Sequence, residues 1–356
     1  MDSIFSITAL PFFVSLLTVV LFTPLTVVFF KKEGWLVDPR KTPHPAHTHK
    51  EPIPKGGGLP VFLGFLAGVL TVSNIDNHLI AIISACLVTL IVGLIDDVKS
   101  INPYFRLVIN FLSALIIVLS GIGISFITNP LGGIIDLSWP RLSIELFGNR
   151  EIWILADLFA ILWIPALMNA INWSSGVDGQ ISGVITIAAF FLGVVSLTYS
   201  ADITQWPISI LAFSLAGAFA GFTVFHFYPQ KIMPGYSGTS LAGLILGVLS
   251  ILATGKVGTA ILLLAVPLID FIYVIFRRVI IGKSPVWGGN EHLHHKLMEI
   301  GWGKRRIAVF YWTITALLGG MALNFEARYK FVAMIGLVLL MVVFWIWQYF
   351  GRYSRQ

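Results

Sequence analysis

Long apolar runs separated by short polar segments dominate the chain. Each run extends over about 20 residues, the length that a helix needs to cross the hydrocarbon core of a bilayer. The pattern predicts eleven membrane-spanning helices, at residues 4–30, 57–73, 78–95, 104–122, 151–170, 180–199, 206–227, 239–254, 257–278, 306–324 and 331–350. We therefore expect an all-α polytopic membrane protein in which residues 1–356 form a single domain.

The basic residues are distributed unevenly between alternate polar segments. Of the 23 Lys and Arg residues, five lie on one side, which leaves 18 in the segments after helices 1, 3, 5, 7, 9 and 11. The five are Arg141, Arg150, Lys256, Arg328 and Lys330. Because loops rich in Lys and Arg stay in the cytoplasm, we expect the N-terminus outside and the C-terminus in the cytoplasm. The first run lacks a basic leader and is interpreted as a retained helix, not a cleaved signal peptide.

The largest outer segment, about residues 123–150, predicts a short β-hairpin. Apolar and polar residues alternate over Leu137–Ser138 and over Leu142–Leu146, with Pro140–Arg141 between them. This alternation is typical of paired strands.

Composition narrows the function classes. The chain is 57% hydrophobic and only 11% charged, against about 25% charged in soluble domains. Its net charge of +6 lies in loops beside apolar runs, which indicates a bilayer and no nucleic acid as partner. The single cysteine, Cys86, lies inside an apolar run and excludes a disulfide framework.

Two inner segments carry residues suited to phosphate and metal chemistry. Lys55 precedes glycines that open a helix, and free N–H groups at a helix N-terminus favour phosphate; the alternative is an ordinary basic flank. Asp96 and Asp97 end the third helix, where carboxylates oppose the helix dipole unless a cation compensates them. Mg²⁺ would do so, whereas the alternative is a solvated helix end with Lys99 as counter-ion.

Three more inner segments contain amides, a turn-rich loop and histidines. Asn169 and Asn172 are three residues apart and share one helix face, although a capped turn explains the same residues. Residues 231–240 form an ordinary Gly/Pro/Ser loop. His292, His294 and His295 follow Arg277-Arg278 and favour phosphate or sugar binding, since they are too few for a closed zinc site.

Asp270 lies within the ninth apolar run. An acid at this depth is functional by default, unless it only pairs with a nearby Arg or Lys. The inner face of the membrane thus carries carboxylates, amides, a glycine turn and a basic segment with three histidines. This set suits phosphoryl transfer between a lipid and a soluble substrate.

These motifs, in this order over about residues 35–300, resemble the polyprenyl-phosphate N-acetylhexosamine-1-phosphate transferases, glycosyltransferase family 4. The matching stretches are Pro52–Gly57, Asp96–Lys99, Asn169–Asn172 with Asp178–Gly179, Pro267–Asp270 with Arg277–Arg278, and His292–His295. The resemblance implies transfer of a sugar 1-phosphate, with the His-x-His-His form favouring N-acetylglucosamine, from a UDP-sugar to undecaprenyl phosphate. UMP would leave, and the lipid-linked product would feed cell-envelope glycan synthesis.

The resemblance also implies a set of roles at a cytoplasmic active site of the inner (plasma) membrane. The catalytic residues would be Asp96, Asp97 and Lys99. The substrate-binding residues would be Lys50, Lys55, Gly57, Asn169, Asn172, Asp178, His292, His294 and His295. Asp96, Asp97, Asn172 and Asp178 would hold Mg²⁺, with Mn²⁺ as an alternative ion.

Three positions depart from the family pattern. Tyr236 stands where the family has a metal-binding aspartate, Ser175 stands at a nucleotide-contacting acid, and Gly289 replaces the aspartate of an Asp-Arg pair. One hypothesis is that another acid, namely Asp178, Asp270 or Glu291, supplies the missing charge. The other is a homologue that binds nucleotide-sugar or lipid without turnover.

A secondary transporter is the alternative from another class. It would place polar residues near the middle of the membrane, whereas most polar residues here lie at helix ends. The sequence leaves open whether the chain forms a homodimer.

Overall fold

The structure, a computed structural model, describes residues 2–40, 51–144, 150–198, 206–253, 257–287 and 289–353. Within these ranges the chain is mostly helical. The helices are α1 (Asp2–Ile7), α2 (Ala9–Lys32), α3 (Gly58–Leu70), α4 (Asn77–Lys99), α5 (Pro103–Leu119), α6 (Ile154–Trp173), α7 (Gln180–Leu197), α8 (Trp206–His226), α9 (Gly235–Leu252), α10 (Val257–Leu263), α11 (Ala265–Ile280), α12 (Leu293–Glu299), α13 (Lys304–Asn324) and α14 (Ala327–Tyr353).

The chain is a multi-pass membrane protein. In the described ranges, eight helices are long and apolar enough to cross a bilayer, and the pair α10–α11, bent by 83°, would make a ninth. The apolar helices α3 and α5 are shorter, with 13 and 17 residues, below the length of about 20 that a perpendicular span needs. Each predicted helix has a counterpart, but the count of eleven spans and their orientation stay predictions.

Helix α9 lies at the centre of the bundle and packs against α3, α4, α6, α7 and α8. Small residues allow this close packing, as they do between membrane helices in general. Gly243 of α9 lies against the backbone of Met168 in α6, so that a β-carbon there would collide with it. By contrast, α2 buries only one stripe, spaced about one turn apart and including Ser15, Val19 and Thr23. The rest of its apolar surface is exposed, as lipid contact requires.

The short strands form three antiparallel pairs in the described residues. They are β1 (Leu36–Val37) with β2 (Ile53–Pro54), β3 (Phe126–Thr128) with β4 (Ile134–Asp136), and β5 (Arg141–Ile144) with β6 (Arg150–Trp153). The first pair joins the end of α2 to the segment that leads into α3.

The predicted pairing of the outer hairpin is wrong. Leu142 pairs with Ile152, whereas Leu137 donates its N–H to the Ser125 carbonyl oxygen at 2.8 Å and extends the β3–β4 pair. The overlooked signal is the glycine pair 132–133, whose positive φ angles of 122° and 77° form the tight turn between β3 and β4. Residues 145 and 146 of the predicted strand lie outside the described ranges.

Candidate active site

Five residues, Lys55, Asp96, Asp97, Arg106 and Tyr236, form what we call the aspartate cluster. Both carboxylates lie in the last turn of α4 and are buried. The Lys55 ammonium lies 3.7 Å from Asp96 Oδ2 and 3.4 Å from Asp97 Oδ1. Arg106, near the start of α5, places Nη1 3.3 Å from Asp96 Oδ2. Two cations therefore face two carboxylates.

Asp97 also caps the first turn of α9. Its Oδ1 accepts the Tyr236 N–H at 2.7 Å, and its Oδ2 accepts the Ser237 N–H at 3.3 Å and the Ser237 hydroxyl at 2.5 Å. A carboxylate at a helix N-terminus is stabilised by the unpaired N–H groups and the helix dipole. The carboxylate that opposes the dipole of α4 is thus compensated by the dipole of α9.

Close backbone packing brings the Lys55 segment to this turn. Lys55 forms a β-bridge with Met233, and Gly57 donates its N–H to the Met233 carbonyl oxygen at 3.0 Å. Gly58 donates to Ser237 Oγ at 3.2 Å. The glycine N–H groups that the sequence suggested for phosphate therefore already have partners in the protein. The side chain of Lys55 is what this segment presents to a ligand.

Tyr236 occupies the interior beside the carboxylates. Its residue is 3% exposed, and its hydroxyl donates to Asn110 Oδ1 at 2.6 Å, with the Arg106 carbonyl oxygen at 3.2 Å. The Arg106 guanidinium lies over the phenol ring at 5.1 Å from its centroid. The ring and its hydroxyl are thus fully engaged within the protein.

The asparagine motif reaches the same turn of α9 through one of its two amides. Asn172, at the end of α6, donates Nδ2 to Thr239 Oγ1 at 2.7 Å. Asn169 donates instead to the Pro165 carbonyl oxygen of its own helix, also at 2.7 Å. The N-terminus of α9 therefore brings together Asp97 and Asn172, which the sequence predicted to share a site.

Asp178 has another set of contacts. It is buried, with its Oδ1 2.8 Å from Lys304 Nζ of α13 and its Oδ2 accepting the Gln230 N–H at 3.3 Å. It connects the start of α7 to α13 and to the loop before α9. The predicted role of Asp178 in metal or substrate binding stays untested.

Asp270, His292, His294 and His295 form a second group, which we call the histidine cluster. Asp270 Oδ2 lies 2.8 Å from His292 Nδ1, and its Oδ1 accepts the Leu293 N–H at 2.7 Å. The acid therefore orients the first histidine and the start of α12. The rings of His292 and His294 are nearly parallel with centroids 5.6 Å apart, and His295 lies 4.2 Å from His294.

His294 is fully buried, and neither ring nitrogen has a hydrogen-bond partner among the described residues. Burial and the neighbouring histidines hold the pKa of His294 well below its usual value. Burial likewise lowers the pKa of His295 to about 4. Both rings are neutral near pH 7, and each can offer one N–H donor and one acceptor to a ligand.

Glu291 precedes the histidine cluster and is bound by arginine. Arg278 Nε donates to its Oε2 at 2.8 Å, and Arg277 Nη1 lies 3.8 Å from its Oε1. Burial acts to raise the pKa of Glu291, but Arg278, Arg277 and Lys283 outweigh it, and the pKa lies below its usual value. Glu291, like Asp178 and Asp270, is therefore already paired within the protein.

The residues present do not fit a bound Mg²⁺ as they stand. Among the described residues, no group of three or more His, Cys, Asp or Glu side chains is arranged to hold a metal ion. All four carboxylate oxygens of Asp96 and Asp97 accept hydrogen bonds or face cations. The phenol of Tyr236 adds no carboxylate.

Two predicted lysines have a different status from Lys55. Lys99 lies in the last turn of α4 with an exposed side chain, and Lys50 lies outside the described residues. Sequence reasoning missed Arg106 because it was counted only as a loop charge. Its signal was the position near the start of α5, on the same side as the carboxylates.

A comparison with protein families covers the middle of the chain. The family model described as glycosyl transferase family 4 matches residues 79–254, a range that includes the aspartate pair, the asparagine motif and the first turn of α9.

Three relatives extend the likeness over most of the chain. A probable undecaprenyl-phosphate N-acetylglucosaminyl 1-phosphate transferase of Bacillus subtilis is 27% identical, over 94% of this chain and 88% of its own length. An undecaprenyl-phosphate alpha-N-acetylglucosaminyl 1-phosphate transferase of Escherichia coli K12 is 26% identical, over 94% and 89%. A decaprenyl-phosphate N-acetylglucosaminephosphotransferase of Mycobacterium leprae is 27% identical, over 84% and 80%. Together with the ordered motifs, these matches make the chain similar to members of glycosyl transferase family 4 over most of its length.

Proposed function

We propose that the chain transfers N-acetylglucosamine 1-phosphate from UDP-N-acetylglucosamine to undecaprenyl phosphate, releasing UMP. The observation that carries the proposal is the convergence of Lys55, Asp97 and Asn172 on the first turn of α9. The three relatives match 84–94% of the chain, and their names, which specify N-acetylglucosamine and undecaprenyl or decaprenyl phosphate, support the sugar and the lipid class.

The proposed chemistry is a phosphoryl transfer from the donor to the lipid phosphate. An oxygen of the lipid phosphate forms a bond to the β-phosphorus of the donor, and the bond from that phosphorus to the bridging oxygen breaks. The electron pair leaves on UMP, so the step needs no redox partner. Catalysis of this kind depends on positioning and on offsetting charge, which the cations of the aspartate cluster supply.

The histidine cluster supplies the second half of the proposed site. The neutral, buried ring of His294, which has no hydrogen-bond partner among the described residues, is suited to hydrogen bonds with the hydroxyl and amide groups of a sugar or with diphosphate oxygens. We place the reaction on the cytoplasmic side of the plasma membrane, because the basic segments of both clusters belong to the side enriched in Lys and Arg. Mg²⁺ or Mn²⁺ is what the family resemblance implies, and no step of the proposed reaction is assigned to a metal ion.

The test is a transfer assay with UDP-N-acetylglucosamine labelled in the sugar and in the β-phosphorus. Both labels should enter the lipid phase in equal amounts, and only when undecaprenyl phosphate is present. Asp97→Asn should abolish the transfer, whereas Asp136→Asn, the same chemical change at an exposed strand residue, should leave it unchanged. Transfer of the sugar label alone, or transfer to water, would contradict the proposal.

A second candidate is a homologue that binds the donor without turnover. The observation that favours it is Tyr236, which stands at the position of the family's metal-binding aspartate and is engaged with Asn110. Binding of UDP-N-acetylglucosamine, with no lipid-dependent transfer under any cation condition, would select this candidate.

A further inference from the structure

Each carboxylate oxygen of the aspartate cluster already has a hydrogen-bond donor or a cation of the protein. Asp96 Oδ1 accepts the Ile101 N–H at 3.0 Å, and its Oδ2 faces Arg106 and Lys55. Asp97 accepts two N–H groups and one hydroxyl from the first turn of α9. A divalent cation that entered here would bring a charge of +2 close to the Lys55 ammonium and the Arg106 guanidinium, and like charges repel.

The charges in the cluster also balance without a metal ion. Two carboxylates face one ammonium and one guanidinium, and the N-terminus of α9 adds a partial positive charge. The two carboxylate side chains are at most 2% exposed, whereas Lys55 is 24% and Arg106 is 26% exposed. The two carboxylates are therefore hardly accessible to solvent, and a ligand that arrives from solvent meets the two cations.

Tyr236 removes the remaining reason to expect a divalent ion at this turn. Mg²⁺ requires oxygen ligands in a near-octahedral arrangement at about 2.0–2.1 Å, and the family pattern supplies one from an aspartate at this position. Here the phenol is neutral, and its hydroxyl donates to Asn110. Its ring instead packs against the Arg106 guanidinium, which holds this cation beside the Asp96 carboxylate.

We propose that this chain binds the diphosphate of its donor through Lys55 and Arg106, without a divalent cation. The inference rests on the proposed function for the identity of the donor. A guanidinium is suited to this task because its planar set of N–H groups can bind two phosphate oxygens at once. In the transfer step, the same cations would offset the charge that accumulates on the leaving UMP.

The primary measurement is calorimetric binding of UDP-N-acetylglucosamine to the purified full-length chain, in EDTA and in Mg²⁺. We expect the two dissociation constants to agree within about twofold, a difference of about 0.4 kcal/mol. Arg106→Gln should weaken binding in EDTA by about tenfold. Arg328→Gln, the same change at an exposed residue of α14, is the matched control and should not.

Two variants of Tyr236 sharpen the test. Tyr236→Asp adds a carboxylate to the first turn of α9, the turn that Asp97 and Asn172 also contact, and binding should become stronger in Mg²⁺ than in EDTA by about tenfold or more. Tyr236→Phe, which keeps the ring without adding charge, should remain insensitive to Mg²⁺.

Failure of this inference is distinguishable from failure of the proposed function. Wild-type binding that requires Mg²⁺, or no binding in either buffer, overturns the inference. Binding in EDTA without any lipid-dependent transfer overturns the transferase assignment and leaves the inference standing. Transfer that proceeds only with Mg²⁺ overturns the inference and leaves the transferase assignment standing.

Discussion

The aspartate cluster and the histidine cluster differ in how completely their polar atoms are paired within the protein. In the aspartate cluster every carboxylate oxygen has a donor or a cation. Asp97 connects α4 to α9, and Asp96 connects α4 to Ile101 and Arg106. In the histidine cluster, Asp270 satisfies His292, but the buried ring of His294 has no hydrogen-bond partner among the described residues. The carboxylate oxygens of the aspartate cluster are thus paired within the protein, whereas the His294 ring nitrogens are not paired with any described residue.

This difference indicates how binding and stability are divided. Buried polar atoms in folded proteins nearly always have partners, so exceptions require an explanation. The paired charges hold helices in place and present two cations. The His294 imidazole, which has no hydrogen-bond partner among the described residues, contributes little to the fold and is available to a ligand. Substitutions in the two clusters should therefore affect stability and binding in opposite proportions.

The largest expected effect is that of Asp97→Asn. The change removes a buried charge from between Lys55 and the N-terminus of α9, and breaking a buried ion pair costs about 3–5 kcal/mol. We expect a large fall in the thermal unfolding midpoint in detergent, together with loss of lipid-linked product. An unfolding midpoint equal to that of the wild type would show that the cluster does not hold α4 to α9.

His294→Leu should separate binding from stability. The imidazole makes no hydrogen bond with the described residues, so an apolar side chain of similar size should leave stability unchanged or raise it slightly. Binding of UDP-N-acetylglucosamine should weaken by about tenfold. Calorimetry and thermal unfolding of the same preparation provide both values. A loss of stability comparable to that of Asp97→Asn would remove the contrast between the clusters.

Acid should lower the stability of the fold, because two buried histidines have lowered pKa values. The folded pKa of His295 is about 4, and that of His294 lies well below its usual value. Between about pH 6.5 and pH 4 the unfolded chain therefore binds more protons than the folded one, and stability falls as the pH falls. Unfolding midpoints measured from about pH 7 downward should show this slope.

A double variant provides the control for the pH dependence. Replacing His294 and His295 together by Leu should flatten the slope, because both titrating groups are removed. A variant with the wild-type slope would assign the acid sensitivity to other residues.

The smallest effect is expected for Lys99→Gln. This lysine is exposed at the end of α4, and its favourable interaction with the helix dipole amounts to about 0.3–1 kcal/mol. Product formation should change by less than about twofold. Lys55→Gln, the same substitution within the aspartate cluster, should reduce it much more. Equal losses in the two variants would place Lys99 in the site, as the family resemblance implies.

The sequence predicted the helices well because their signal is local. Each apolar run contains a helix, although residues 257–278 hold two helices with a bend of 83° between them; most other differences lie at the helix ends. Helix α9 begins at Gly235 and not at 239, which places Tyr236 and Ser237 in a helical turn, where their N–H groups bind Asp97. A loop of Gly, Pro and Ser carries no signal for this turn, since its partner is 139 residues away in the chain.

The sequence identified many residues of the candidate site but not which side chains contact each other. Asp97 and Asn172 were expected together and meet at α9, whereas the partner of Asp178, Lys304, comes from α13. Arg106 was missed because a single arginine beside an apolar run is typical of a membrane flank. Such pairings depend on how the helices pack, which residue spacing within one segment does not encode.

The most direct test of the transferase assignment is UMP release by the purified chain given undecaprenyl phosphate and UDP-N-acetylglucosamine, with Asp97→Asn alongside. We predict release that requires the lipid and is lost in the variant. Release that continues without the lipid, or no release in the presence of either Mg²⁺ or EDTA, would contradict the assignment.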